Sequence, residues 1–371
     1  MSKLRDKFLV IIFVCILGAA MLSVFLLPKQ TVSVNEKRTL ASAPSFSVKS
    51  VLNGRFEKDT EEFITDHFPL RDKFTGLNAY AALYTGQNGS NGVYRGSYGY
   101  LIDKPAKADY EQLEKNITAM MDFTEMSGIP STLMIVPSAG YIMDNKLPEN
   151  HLTYHDGELM EKAHDLSKAV IGYVDLEKPF TAAKEESSLY YKTDHHWTSE
   201  GAYIAYVEYC REIGFEPLWE FDISKYDGFF GTTYSKSALW NENGDTLEIW
   251  DYPYDVTVQI EDEEYKSEQL FYRHHLSEAD KYPVFLDGNH AIERIVNRGN
   301  DSGRKLLVIK DSYAHCLVPF LANHYSEIDM VDLRYYLDPV SELVRENDYE
   351  RILYVYGIGN LTESNDISIL Q

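Results

Sequence analysis

The chain has 371 residues, 44% hydrophobic and 13% aromatic, enough to bury a full core and too apolar for a disordered chain. Its 58 acidic against 35 basic residues give a formal net charge of -23, which repels phosphate backbones and excludes nucleic acid as a partner. The 3 cysteines have no CxxC or ligand-like spacing, which excludes a disulfide scaffold and leaves one Cys210–Cys316 bridge open as a pairing.

Residues Phe8 to Leu27 form an apolar run of 20, the length that crosses a ~30 Å hydrocarbon layer at ~1.5 Å per residue. The run is too long for the apolar part of a signal peptide, so an uncleaved transmembrane helix is expected. Lys3, Arg5 and Lys7 precede it, which predicts a cytoplasmic tip and anchor over 1–28 and an extracytoplasmic remainder on the cell membrane. Residues 29–50 are polar and aperiodic and read as a tether. A helical lead-in follows, in which Phe63, Ile64, Phe68, Leu70 and Phe74 are expected to cover a core edge, and the two together occupy 29–87.

From about residue 88 the text QNGSNGVYRGSYGYLI alternates turn dipeptides with short apolar runs, the pattern of a hairpin opening a globular domain over 88–371. Helical periodicity over 109–126 and 157–168 alternates with apolar runs at 131–138 and 171–176. The alternation resumes with KLLVIKD (305–311), a helix over 314–324, EIDMVDL (327–333), a helix over 339–346 and RILYVYG (351–357). This predicts an α/β fold, a three-layer α/β/α domain around a mainly parallel sheet. Between the two halves, 217–300 loses helical period and carries GFFGTTYSKS, LEIWDY and VTVQI, so it reads as a β-rich insertion.

In TDHHWTSEG, Thr198 can cap a helix beginning at Ser199, with Glu200 in its first turn. Asp194 and His196 then lie in the preceding loop, close enough for the carboxylate to orient one ring nitrogen and leave the other as general base. The same residues with His195, or the pair His274 and His275, also suit a metal, and a plain polar turn with Trp197 packed in the core suits them too. Ser312 stands where an apolar strand ends at KDS and a helix begins, the position at which α/β enzymes present reactive groups; it also suits a simple helix cap. Its own amide and the Asn360 side chain, in the strand-end turn GIGN, are candidate oxyanion donors. Together these elements compose a serine hydrolase or acyltransferase site, Ser312 with His196 and Asp194, that calls for no metal and no cofactor.

Through TDHHWTSEGA and KDSYAHCLVPFL the chain resembles the DHHW family, relatives of the SGNH-like O-acetyltransferases that modify bacterial exopolysaccharides such as alginate. NEKRTLASAP, DHFPLRDKF, VYRGSYGYLI, FFGTTYSKS and FLDGNHAIERI also look like this group. The resemblance implies an SGNH-hydrolase-like domain, with Asp194, His196 and Ser312 as the triad and His195 at a variable, structural or substrate-contacting position. Ordinary SGNH hydrolases place the serine block first, so the order here is rearranged, and Arg334 and Tyr313 join Asn360 as candidate oxyanion donors. Trp197, Asn289, His290 and Tyr234 join His195 as candidate substrate contacts. The implied activity is acetyl transfer to hydroxyls of a cell-surface or exported polysaccharide, with that polysaccharide and a membrane-embedded acyl-donor protein as partners. The same triad would serve an acetyl-esterase, and the same fold a non-catalytic glycan-binding or assembly protein.

Overall fold

The structure is a computed structural model that describes residues 2–261 and 266–370. The chain divides into two compact units, Met1–Asn91 with Tyr234–Asn241, and Gly92–Thr233 with Glu242–Gln371.

In the first unit, helix α1 (Ser2–Leu26) holds the apolar run, and its Arg5–Leu26 segment is long and apolar enough to cross a membrane. Phe8, Ile11 and Leu22 are exposed along it. Residues Val32–Ser33 pair antiparallel with Arg38–Thr39, ahead of helices α2 (Arg55–Asp66) and α3 (Arg71–Tyr84). Two stretches far apart in sequence interlock here. Arg38 Nη1 donates to Asp66 Oδ2 at 2.9 Å, Arg71 Nη2 to Glu36 Oε1 at 2.7 Å, and the Ala41 amide to Asp66 Oδ2 at 2.8 Å. The Arg38 hydrogen bond, ahead of burial, which opposes it, holds the Asp66 carboxyl down to about 2. Of the residues expected to cover a core edge, Phe63 is buried, while Phe68, Leu70 and Phe74 are exposed. Leu70 has φ 58° at the corner between α2 and α3, so the three residues straddle a bend instead of sharing one helical face.

The second unit runs β1 (Val93–Arg95), β2 (Leu101–Asp103), α4 (Tyr110–Ser127), β3 (Ser131–Val136), α5 (Asp156–Ser167), β4 (Gly172–Val174), α6 (Glu177–Ala183) and α7 (Ser199–Ile213). It continues through β5 (Asp222–Phe229), β6 (Asp245–Asp251), β7 (Val256–Ile260), β8 (Lys266–Ser267), β9 (Ile292–Asn297) and β10 (Lys305–Lys310). Then come α8 (Ala314–Leu321), β11 (Glu327–Val331), α9 (Val340–Glu346), β12 (Arg351–Gly357) and α10 (Ile358–Glu363).

Among the described residues the main sheet has 8 strands in the order β8-β7-β9-β11-β10-β12-β3-β4. The run β11-β10-β12-β3-β4 is parallel throughout, whereas β9 joins β11, β7 joins β9 and β8 joins β7 antiparallel. The sheet is therefore mixed. The stretch 217–300 is divided: β7, β8 and β9 extend this sheet, and β5 and β6 form a separate two-stranded ribbon.

Near-continuous apolar strands require cover on both faces, and helices supply it. Leu133, Ile135, Leu307, Ile309 and Ile352 pack with Leu113, Ile117 and Phe123 of α4 and Leu159 of α5. Met134, Val136, Leu306, Val308 and Leu353 pack with Tyr206 and Tyr209 of α7 and Leu317 and Phe320 of α8. Asp109 caps α4 by accepting from Gln112 N at 3.0 Å, and Thr198 caps α7 by accepting from Gly201 N at 3.2 Å. The left-handed glycines Gly128 (φ 66°) and Gly214 (φ 78°) end the same two helices.

The first turn of α7 passes directly over the chain at Leu189. A Cβ at Gly201 would collide with the Leu189 carbonyl oxygen and come within 3.1 Å of Trp197 Cβ. Alanine for glycine inside a helix ordinarily gains about 1 kcal/mol. Here Gly201→Ala is expected to destabilise, because the atom it strikes is backbone, and urea unfolding of the full chain in detergent checks the sign.

Candidate active site

The loop that carries the DHHW residues is fixed from below. Asp245 Oδ1 accepts from Lys192 N at 2.8 Å, and its Oδ2 accepts from Thr193 N at 2.8 Å and Thr193 Oγ1 at 2.5 Å. The next residue, Asp194, is buried, with both oxygens met by donors. His196 N and Nδ1 donate to Oδ1 at 2.9 and 2.5 Å, and Thr232 N and Oγ1 donate to Oδ2 at 2.6 and 3.0 Å. Burial works against the charge, but the His196 and His195 rings and the His196 hydrogen bonds outweigh it and hold Asp194 well below the usual carboxylate range.

With Nδ1–H committed to Asp194, His196 presents Nε2 as an acceptor, and Ser312 Oγ lies 2.7 Å from it. Ser312 follows β10 at the carboxyl end of the parallel strands, in the turn before α8. Oγ, imidazole and carboxylate thus form one continuous hydrogen-bonded chain, the geometry for proton transfer off a serine hydroxyl. The His196 ring is clamped by aromatic faces: Tyr282 stacks on it at 4.0 Å and 11°, and Tyr313 meets it edge-on at 5.2 Å.

Among the described residues the Ser312 amide donates no hydrogen bond, so it is available to a developing oxyanion. The other candidate donors are committed elsewhere, wholly or in part. Asn360 Nδ2 donates to Asp311 Oδ2 at 2.7 Å, which leaves its second amide hydrogen. Tyr313 N donates to Asp311 Oδ1 at 3.0 Å, and its hydroxyl to the His195 carbonyl at 2.8 Å. Arg334 grips Asp332 through Nε at 2.8 Å and Nη2 at 2.5 Å, and reaches Asn289 Oδ1 at 3.3 Å.

The candidate substrate contacts separate in the same way. His195 is partly exposed beside the site, its ring 3.8 Å from that of His196 and its Nδ1 donating to Thr232 Oγ1 at 2.6 Å. Trp197 is fully buried and meets Tyr313 edge-on at 5.4 Å, so it is core and cannot touch substrate, contrary to its expected contact role. Tyr234 belongs to the other unit, where its hydroxyl donates to the Trp240 carbonyl at 2.8 Å. Asn289 is exposed, and His290 Nε2 lies 3.2 Å from the Asp287 carbonyl. The Asp194, His195 and His196 ligand atoms are near enough to hold a metal ion, as are those of His274, His275 and Glu278. In the first group, however, both Asp194 oxygens already serve four donors. In the second, His275 sits between Glu278 at 2.7 Å and Asp287 at 2.6 Å, an arrangement that favours a protonated ring over a metal-bound one.

Sequence reasoning assigned no role to Thr232, Tyr282 or Asp311. Thr232 lies in FFGTTYSKS, which carried a family resemblance, and the glycine before it is required: a Cβ at Gly231 would overlap the Asp194 side chain. Nothing in KYPVF marks Tyr282 as a partner of His196.

Residues 170–331 match the family model described as DHHW protein, and residues 96–221 match that of the SGNH hydrolase-like domain, acetyltransferase AlgX. The resemblance read from the sequence is thereby borne out. Two relatives are the probable alginate O-acetylase AlgJ of Pseudomonas syringae pv. tomato, 32% identical over 45% of this chain and 46% of the relative, and that of Pseudomonas putida, 28% identical over 42% and 43%. The chain spans about half the length of the curated relatives it matches. Two solved structures share the fold. A DHHW family protein from Eubacterium siraeum has a TM-score of 0.66 at 23% identity, over 76% of this chain and 95% of the other. PatB1 of Bacillus cereus has a TM-score of 0.63 at 20% identity, over 75% and 98%.

Behind Ser312 lies a buried polar group of four. Lys310 Nζ is 2.6 Å from His315 Nε2 and 3.4 Å from Asp332 Oδ2, and burial, with Lys310 beside it, holds His315 well below its usual range as a neutral acceptor. Glu293 is fully buried, neither of its oxygens is hydrogen-bonded among the described residues, and burial pushes it up to about 8 against the attraction of Lys310. A carboxyl raised in the folded state costs stability once pH exceeds its unfolded value near ~4.3, by at most about 1.4 kcal/mol per pH unit until the folded value is passed. Glu293→Gln is therefore expected to raise the melting temperature more at pH 8 than at pH 5. Melting curves at the two pH values test this, and a gain confined to pH 5 would contradict it.

Proposed function

We propose that this chain is a membrane-anchored, extracytoplasmic acyltransferase that moves acetyl groups onto hydroxyls of a cell-surface or exported polysaccharide through Ser312, His196 and Asp194. The observation that carries the reading is the 2.7 Å separation of Ser312 Oγ from His196 Nε2, with Asp194 2.5 Å behind Nδ1. The resemblance to alginate O-acetylases supplies the acyl group and the class of acceptor. The apolar helix supports anchoring, and Arg5 and Lys7 beside the run support a cytoplasmic tip. On this reading 1–28 is tip and anchor, 29–87 tether and lead-in, and 88–371 the catalytic domain, which adopts the three-layer SGNH-like form.

In the first half-reaction Ser312 Oγ attacks the acetyl carbonyl, its proton passes to His196 Nε2, and Asp194 stabilises the imidazolium. The Ser312 amide donates to the oxyanion, and His196 returns the proton to the departing donor group. In the second, His196 takes the proton of a sugar hydroxyl as that oxygen attacks the acetyl-serine, and Ser312 leaves as the alcohol. A membrane-embedded protein partner that presents the acyl donor fits the anchored arrangement.

Ser312→Ala and His196→Ala in the full chain are each expected to lower acetyl-ester turnover by at least ~10³-fold while the melting temperature stays near that of the parent. Full activity in both variants would sink the mechanism. Product analysis with an acetyl donor and an oligosaccharide acceptor separates transfer, which yields an acetylated sugar, from an esterase that yields only acetate.

A further inference from the structure

The turn that presents Ser312 is organised by the residue before it. Asp311 is buried, and its amide donates to the Val355 carbonyl at 3.0 Å, so the residue continues the β10–β12 pairing. Its carboxylate then gathers donors from three places. Tyr313 N donates to Oδ1 at 3.0 Å, and Gly357 N and Asn360 Nδ2 each donate to Oδ2 at 2.7 Å. The first contact bridges Ser312 and fixes the backbone on either side of it. The other two tie that turn to the end of β12 and the start of α10.

The consequence lies in which amide hydrogens remain. Tyr313 N is consumed by Asp311, and among the described residues Ser312 N is left without an acceptor and Asn360 is held by one hydrogen with its other uncommitted. Without that carboxylate the turn itself would keep only the long contacts of Ala314 N to the Asp311 carbonyl and His315 N to the Ser312 carbonyl, each 3.3 Å, and the Ser312 amide would be free to rotate with it. A carboxylate bonded on both oxygens does not allow this.

We propose that Asp311 is a positioning residue that assembles the oxyanion site, aligning the Ser312 amide and anchoring the Asn360 side chain as its second donor. This rests on the reading of Ser312 as nucleophile. Asp311 touches no substrate; it acts through the two donors it holds.

Asp311→Asn is the sharpest test, because it preserves volume but turns an amino group toward either Tyr313 N or the Gly357 and Asn360 donors, whichever way it is flipped. The full chain in detergent is assayed with p-nitrophenyl acetate, and active Ser312 is counted by stoichiometric labelling with a sulfonyl fluoride. The expected result is a ~10²-fold fall in kcat per labelled serine, with KM within about twofold of the parent. A merely structural role would instead lower the labelled fraction and leave kcat per labelled site unchanged, and that outcome overturns the proposal. If Asp311→Asn does not fold, Asn360→Ala carries the test: a fall in kcat of ~10-fold or more per labelled serine supports the proposal, and parental kcat overturns it. Retained turnover in Ser312→Ala would instead mark failure of the nucleophile reading, which keeps the two failures distinct.

Discussion

A carboxylate withdrawn from water must be surrounded by donors, and the arrangement around Asp194 follows from that requirement. Two of its four donors come from the next-but-one residue, His196, and two from Thr232, 38 positions along the chain. The tight approach of Thr232 is possible only because Gly231 has no side chain to strike Asp194. Fixing the carboxylate fixes the imidazole tautomer, and the tautomer decides that Nε2 is the nitrogen facing Ser312.

The sheet supplies the other half of the site. Ser312 and the Gly357 turn leave the carboxyl ends of neighbouring parallel strands β10 and β12, so their backbones are already close before any side chain acts. Asp311 bonds across that gap, and Asp194 and Asp245 hold the facing loop. The buried Asp194 and Asp311 and the half-buried Asp245, all met by N–H donors and Asp194 and Asp245 by a threonine hydroxyl as well, therefore order the segments that the parallel strands bring together. The insertion between the halves also reaches the site: Thr232 follows β5, and Tyr282, ahead of β9, supplies the ring stacked on His196.

Local chemistry was legible in the sequence where it depended on neighbours. Strands β10, β11 and β12 were readable because interior parallel strands are continuous apolar runs. The start of α7 was readable because Thr198 caps it. Asp194 and His196 were suggested by a two-residue spacing, and Ser312 by its position between an apolar strand and a helix. The antiparallel extension by β7, β8 and β9 was not readable, because alternating strands of a sheet edge and of a separate insertion have the same period. Trp197 was misjudged for a related reason: a tryptophan beside polar site residues looks the same in sequence whether it faces solvent or the Phe180 and Tyr313 rings.

Composition and periodicity are enough to set the apolar N-terminal helix, the alternation of strands and helices, and the residue types able to carry proton transfer. Whether DHHW held a metal, served as a plain turn or joined a serine was open at that level, since each needs the same short text. Tertiary structure decided which atoms meet: His196 lies beside Ser312 across 116 positions of chain, His195 turns to Thr232, and Asn360 is drawn onto Asp311. Such pairings depend on strand order and loop closure, which bring distant residues within ~3 Å and leave no periodic mark on the chain.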